Sequence, residues 1–191
     1  MIHIIGDSHS LTFQESENVC CHWGGALTAN RIFTKSFPLE IMAEFPEEEF
    51  WFQFGEIDCR IHIYNLHMRE NIRVEILTQI AVEKYVAYVV GLREKYNVAI
   101  MAVPPQGSSG NVYKYPFYAD RIDRQRIADL FNDELKNLCE RVEVPFIDVY
   151  SDFFILTALN LVDDSFFRPD LCHLKDVVAS GLVDNYIRRN R

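Results

Sequence analysis

The chain has 191 residues, 49% hydrophobic and 25% charged, ordinary globular values that exclude long disorder and suffice for one domain with its own core. Its 19 basic and 28 acidic residues give a net charge of −9, which argues against a nucleic-acid backbone or an anionic membrane as partner. No apolar run approaches the ~18 residues of a membrane span and the opening MIHIIGDSHS is no signal peptide, so a cytoplasmic protein is expected.

The first element is the apolar run Ile2 to Ile5, which stops at Gly6 and is followed by Asp7, Ser8, His9 and Ser10. Further strands are expected over Val19–His22, Phe50–Phe54, Val98–Val103 and Val144–Val149. Several are continuously apolar, as parallel strands covered on both faces are. Between them, Arg69 to Lys95 can hold a long helix or two, and Ile127, Leu130, Phe131, Leu135, Leu138 and Val142 fall at helical spacing. Leu174, Val177, Val178, Leu182, Tyr186 and Ile187 do the same near the end. The strand–helix alternation predicts a single α/β domain over 1–191, a parallel sheet of about five strands with helices on both sides.

The least regular stretch is PPQGSSGNVYKYPFYAD, from Pro104 to Asp120. It leaves the fourth strand at the carboxyl end, where ligands sit in open parallel sheets. Its Tyr113, Tyr115, Phe117 and Tyr118 are expected against the protein body rather than stacked on a substrate. The five cysteines, Cys20, Cys21, Cys59, Cys139 and Cys172, form no C-x-x-C pair and read as reduced hydrophobes, with Cys172 facing away from any cleft. Trp23 and Trp51 are expected in the core, and His9 as a cleft-wall or capping residue.

Two short segments carry chemistry. Gly6-Asp7-Ser8-His9 closes the first strand; taken alone, Asp and Ser there are ordinary helix caps. RPDLCHLKDVVASGLV places Asp170 three residues before His173, just ahead of the terminal helix. A serine nucleophile needs a base, and the base needs a group that holds its tautomer and offsets its charge. Together the two segments could supply all three.

At these residues the sequence resembles the SGNH, or GDSL, hydrolases. The resemblance implies a three-layer α/β/α sandwich on a flavodoxin-like five-stranded parallel sheet. It implies Ser8 as nucleophile, His173 as general base and acid, and Asp170 as the orienting group. HWGGALTANRI supplies the family's second block, with Gly25 (Gly24 the near alternative) joining the Ser8 N–H in an oxyanion hole. FGEIDCR answers the third block, G-x-N-D, with Gly55, Glu56, Ile57 and Asp58. Ile57 stands where the family has a donor asparagine, and losing one such donor typically costs ~10²–10³ in rate. FGEIDCR resembles a recurring variant of the family linked to surface-polysaccharide pathways. Asp7, Gly55, Glu56, Asp58 and Arg60 are read as support, the last three as an ion-pair and cap network beneath the site.

The expected activity is hydrolysis of acyl esters of carbohydrates or small molecules through an acyl-enzyme, with no metal and no cofactor. An O-acyltransferase would use the same site, and a non-catalytic binder is the reading that Ile57 favours. A metallophosphoesterase matches Asp7-Ser8-His9 as D-x-H but lacks that family's G-N-H-[DE] and G-H-x-H blocks. The net charge leans toward neutral esters, and a homo-oligomer is compatible with the sequence.

Overall fold

The computed structural model describes residues 1–108, 119–151 and 162–190. Its strands are β1 (Ile2–Gly6), β2 (Val19–Trp23), β3 (Glu49–Gln53), β4 (Asn97–Met101) and β5 (Phe146–Ile147). They lie in the order β2-β1-β3-β4-β5, and every neighbouring pair is parallel. The helices are α1 (Phe37–Glu44), α2 (Ile63–Glu70), α3 (Val74–Leu92), α4 (Arg121–Val142) and α5 (Asp176–Asn190). The expected α/β/α layering on a flavodoxin-like sheet is what forms.

The continuous apolar strands resolve into two faces with period 2. His3 and Ile5 of β1, Phe50 and Phe52 of β3, and Val98 and Ile100 of β4 point to one face. There the apolar ones meet Met42 of α1, Val82 and Tyr85 of α3, and Phe131 and Leu135 of α4. Ile2, Ile4, Trp51, Ala99 and Met101 point to the other, where Ala179 and Val183 of α5 cover them. Fully burying each large side chain of this kind stabilises the fold by roughly 1.5–3 kcal/mol.

Strand ends differ from the sequence reading for local reasons. β4 stops at Met101 because the backbone of Val103 is taken by a side chain: its N–H donates to Asn132 Oδ1 at 2.7 Å, and its C=O accepts from Asn132 Nδ2 at 3.0 Å. β5 shrinks to two residues because Pro145 has no N–H to give, and Asp148 Oδ1 turns the chain by accepting from the N–H groups of Tyr150 and Ser151. Between α2 and α3, Asn71 takes a left-handed conformation (φ 51°) that ends the first helix. Trp51 is buried, but Trp23, at the end of edge strand β2, is 55% exposed and outside the core. Tyr113, Tyr115, Phe117 and Tyr118 lie outside the described residues.

The strand order reverses between β1 and β3, and it is there, beyond the carboxyl ends, that an open α/β sheet leaves a crevice. The GDSH, HWGG and FGEID segments all leave the sheet at this edge. Close packing of β1 on β3 explains the glycine before Asp7: a Cβ on Gly6 would lie 2.5 Å from the Gln53 carbonyl oxygen. No helix of the described residues is long and apolar enough to cross a membrane.

Candidate active site

After Gly6 the chain turns tightly. Asp7 Oδ1 accepts the backbone N–H of His9 at 2.9 Å, and Ser10 Oγ donates to the Asp7 carbonyl at 2.8 Å. Ser8 sits at the apex, half-buried, with its hydroxyl turned toward the loop before α5. That loop is held at both ends. Phe167 and Leu174 form an isolated bridge, Arg168 N–H donates to the His173 carbonyl at 2.7 Å, and the Arg168 side chain pairs with Asp176. Leu171 adopts a left-handed φ of 52°, strained for a leucine, and the two N–H groups that follow it, of Cys172 and His173, both reach Asp170 Oδ1 (2.9 and 3.0 Å).

The two segments meet. His173 Nε2 lies 2.8 Å from Ser8 Oγ, and His173 Nδ1 lies 2.7 Å from Asp170 Oδ2, though Ser8 and His173 are separated by 165 positions of chain. Burial works against the Asp170 charge, but the two backbone N–H groups and the imidazole outweigh it and hold this carboxyl down at about 2. It is a carboxylate at any ordinary pH, so Nδ1 is the protonated nitrogen and Nε2 faces the hydroxyl as an acceptor. Gly107 sets the outer wall of the loop: a Cβ there would fall 2.0 Å from the Leu171 carbonyl oxygen. Buried Arg124 of α4 fixes that segment by donating to the carbonyls of Gly107 at 2.7 Å and Ala119 at 3.1 Å.

Beneath the serine lies a buried ionic cluster. His9 is 2% exposed, with Nδ1 3.1 Å from Asp7 Oδ1 and 3.7 Å from Glu56 Oε2. Burial alone would neutralise the His9 imidazole, but Glu56 and Asp7 raise it well above its ordinary value, so it is an imidazolium. Burial likewise opposes the Glu56 charge, and His9 with Arg60, whose Nε sits 2.6 Å from Glu56 Oε1, brings that carboxyl below its usual range. The His9 ring stacks on His173 with centroids 4.3 Å apart. His173 is accordingly depressed below 6.5, first by burial and then by the neighbouring His9 charge, with Asp170 opposing.

Asp58 is not in that ion-pair cluster. Its Oδ2 accepts the Ala29 N–H at 2.7 Å, tying the third block to the second, and burial pushes its carboxyl up to about 7. Gly25 and Gly55 take positive φ (81° and 120°), and Gly24 N–H donates to the Gly6 carbonyl at 2.9 Å, which docks the second block beside the Ser8 turn. Among the described residues, the N–H groups of Ser8 and Gly25 enter no backbone hydrogen bond. Ile57 is buried and offers no donor, Arg60 Nε is engaged by Glu56, and His62 lines a cavity that begins at Ala26, beyond Gly25.

Cys172, which follows Leu171 and its left-handed backbone, turns toward the site rather than away, with Sγ 3.9 Å from His9 Nε2. His9, Cys172 and His173 bring ligand-type atoms within 4.8 Å of one another, as do Asp7, His9 and Glu56, and, on the β1–β2 face, His3, Cys20 and His22. These are the sets of described residues that could hold a metal ion.

No family model matches the chain, and no curated protein does. Solved structures do. An acylhydrolase from Bacteroides fragilis superposes with a TM-score of 0.69 at 15% identity, over 98% of this chain and 84% of that one. A GDSL-like lipase from Bacteroides thetaiotaomicron gives 0.66 at 11% identity over 100% and 88%. An acetylxylan esterase from Geobacillus stearothermophilus, as a catalytic mutant, gives 0.63 at 13% identity over 98% and 92%. The fold is that of the SGNH hydrolases. At such identities the likeness is one of backbone architecture. Within this SGNH fold the sequence pointed to Ser8, Asp170 and His173, but not to the charge state of His9 or the inward thiol of Cys172. Only the position of His9 next to Ser8 hinted at the former.

Proposed function

We propose that the chain is a serine-dependent ester hydrolase acting on acyl esters, of carbohydrates or small molecules, through an acyl-enzyme. The observation that carries this reading is the continuous hydrogen-bonded line from Ser8 Oγ through His173 to Asp170. His173 Nε2 takes the Ser8 proton as Oγ attacks the ester carbonyl, and Asp170 stabilises the imidazolium that forms. The tetrahedral oxyanion is held by the N–H groups of Ser8 and Gly25, with Ile57 contributing nothing. His173 then protonates the departing alcohol, and water activated by the same imidazole releases the acid. A second sugar hydroxyl in place of water would make the same site an O-acyltransferase. The solved neighbours that are acylhydrolases and acetylxylan esterases support the ester class.

The deciding experiment is labelling of the protein with a fluorophosphonate probe beside a screen of p-nitrophenyl acetate, longer esters and acetylated sugars. Ser8 is expected to be labelled, Ser8→Ala to be blank, and turnover to survive EDTA. Absence of both labelling and turnover near neutral pH makes the non-catalytic binder, favoured by Ile57, the correct reading, and turnover lost to EDTA counts against the serine hydrolase and for the metallophosphoesterase.

The base must be neutral to accept a proton, so kcat/KM rises as pH climbs through the His173 titration. The acid limb is expected to have its midpoint below 6.5. Removing the neighbouring charge in His9→Gln takes away one of the two lowering influences, so that midpoint is expected to move upward. A profile unchanged in His9→Gln would show that the stacked ring leaves the base untouched.

A further inference from the structure

The chain is acidic overall, yet a cavity that starts just beyond Gly25 gathers cations. A cavity of about 460 Å³ begins at Ala26, one residue beyond Gly25, and is lined by Arg31, Thr34, Lys35 and His62. A smaller cavity of about 160 Å³ shares Arg31 and His62 with it and adds Arg69. The walls are the two segments already tied to the Ser8 turn. HWGGALTANRI is docked through Gly24 onto Gly6, and FGEIDCRIH carries Glu56, paired with Arg60, to His9 and ends at His62.

Arg31 and Lys35 are exposed, and among the described residues neither is in an ion pair, while Arg69 has only the surface contact with Glu70 at 3.5 Å. The acid within this wall, Asp58, is 2% exposed and turned to the Ala29 N–H. In a protein of net charge −9, same-sign charges concentrated in a concavity focus an attractive field for anions there. Arginine adds the planar fork that matches a carboxylate or a phosphate. The volume lies within the range of small-ligand sites.

We infer that this cavity receives the alcohol portion of the substrate and that this portion is anionic: an acyl ester of a sugar-like molecule bearing a carboxylate or a phosphate. The inference rests on the esterase reading above and reverses the lean toward neutral esters that the net charge gave. With the carbonyl oxygen on the Gly25 N–H, the cavity one residue further along is where the leaving alcohol extends.

The test compares kcat/KM for acetylated glucose, acetylated glucuronic acid and acetylated glucose phosphate, in the wild type, Arg31→Glu and Lys35→Glu. One or both anionic esters should exceed the neutral one by roughly tenfold or more at low salt, and the advantage should shrink as salt rises. Arg31→Glu is expected to bring the anionic-to-neutral ratio to about one or below, with Lys35→Glu as the second variant should the first fail to fold. The arm that is preferred tells carboxylate from phosphate. A ratio near one in the wild type, unmoved by either variant, overturns the inference and leaves the esterase intact. Should no ester turn over and Ser8 resist labelling, the esterase reading falls instead. Calorimetric titration of the wild type with free glucuronate and glucose phosphate then decides the cavity alone: binding lost in Arg31→Glu upholds it, and no binding overturns it.

Discussion

Ser8→Ala is expected to lower kcat for an accepted ester by roughly 10⁴-fold or more, and His173→Ala to lower it about equally. The reason is geometric. Oγ and Nε2 are 2.8 Å apart and form one proton-transfer unit, so the hydroxyl without its acceptor is a weak nucleophile, and the acceptor without the hydroxyl has nothing to activate. The double variant should be no worse than either single one, because residues that act as a unit lose their function together. Asp170→Ala should cost less than either, since Asp170 orients and stabilises but bonds to no reacting atom. The residual rate in Ser8→Ala, His173→Ala and the double variant then measures what the Ser8 and Gly25 N–H groups and substrate binding give unaided. Steady-state kinetics of the four variants settle the matter: additive losses, or a His173→Ala enzyme at wild-type speed, would break the proposed unit.

The second large effect is on stability. Glu56→Ala should destabilise the fold by about 3–5 kcal/mol, because it takes the carboxylate from Arg60 and leaves the buried His9 cation with Asp7 alone. His9 is an imidazolium with 2% exposure, and Arg60, with 18% of its side chain exposed, has its Nε on the Glu56 carboxylate. The cluster need not be worth that much relative to an apolar core; the cost lies in leaving buried charge unpaired. For a chain of this length the loss corresponds to roughly 6–20 °C in Tm. Chemical denaturation of Glu56→Ala beside Glu75→Ala, an exposed carboxylate paired with Arg73 at 3.2 Å, gives the comparison. The exposed pair should change stability little, since solvent screens it. Equal, small losses would mean that the buried cluster is not the ionic lattice described.

How much of this was legible beforehand differs by level. Most of the strands were readable because a strand covered on both faces is apolar nearly throughout, and runs such as FWF and VAIM satisfy that whatever surrounds them. Their ends were less legible. Asn132, 29 positions downstream of Val103, decides where that strand stops, and no property of residues 98–103 announces it. The GDSH and D-x-x-H segments were visible as residue types suited to acyl transfer, and block order gave them a shared meaning.

Other features belong to the tertiary structure alone. Three carboxylates near the site have three fates, each set by the burial and the partners that the folded chain gives it. Asp170 is held at about 2 by two backbone N–H groups that Leu171 turns toward it, Asp58 is pushed up to about 7 by burial against the opposing Ala29 N–H, and Glu56 is ionised by His9 and Arg60. Whole-chain charge likewise concealed the basic cavity, since a sum over 191 residues carries no positions. Sequence determines which side chains are available and which segments must be buried, because hydrophobic periodicity is local. Protonation, direction and pairing depend on what folding brings within a few ångströms, and only the folded chain holds that information.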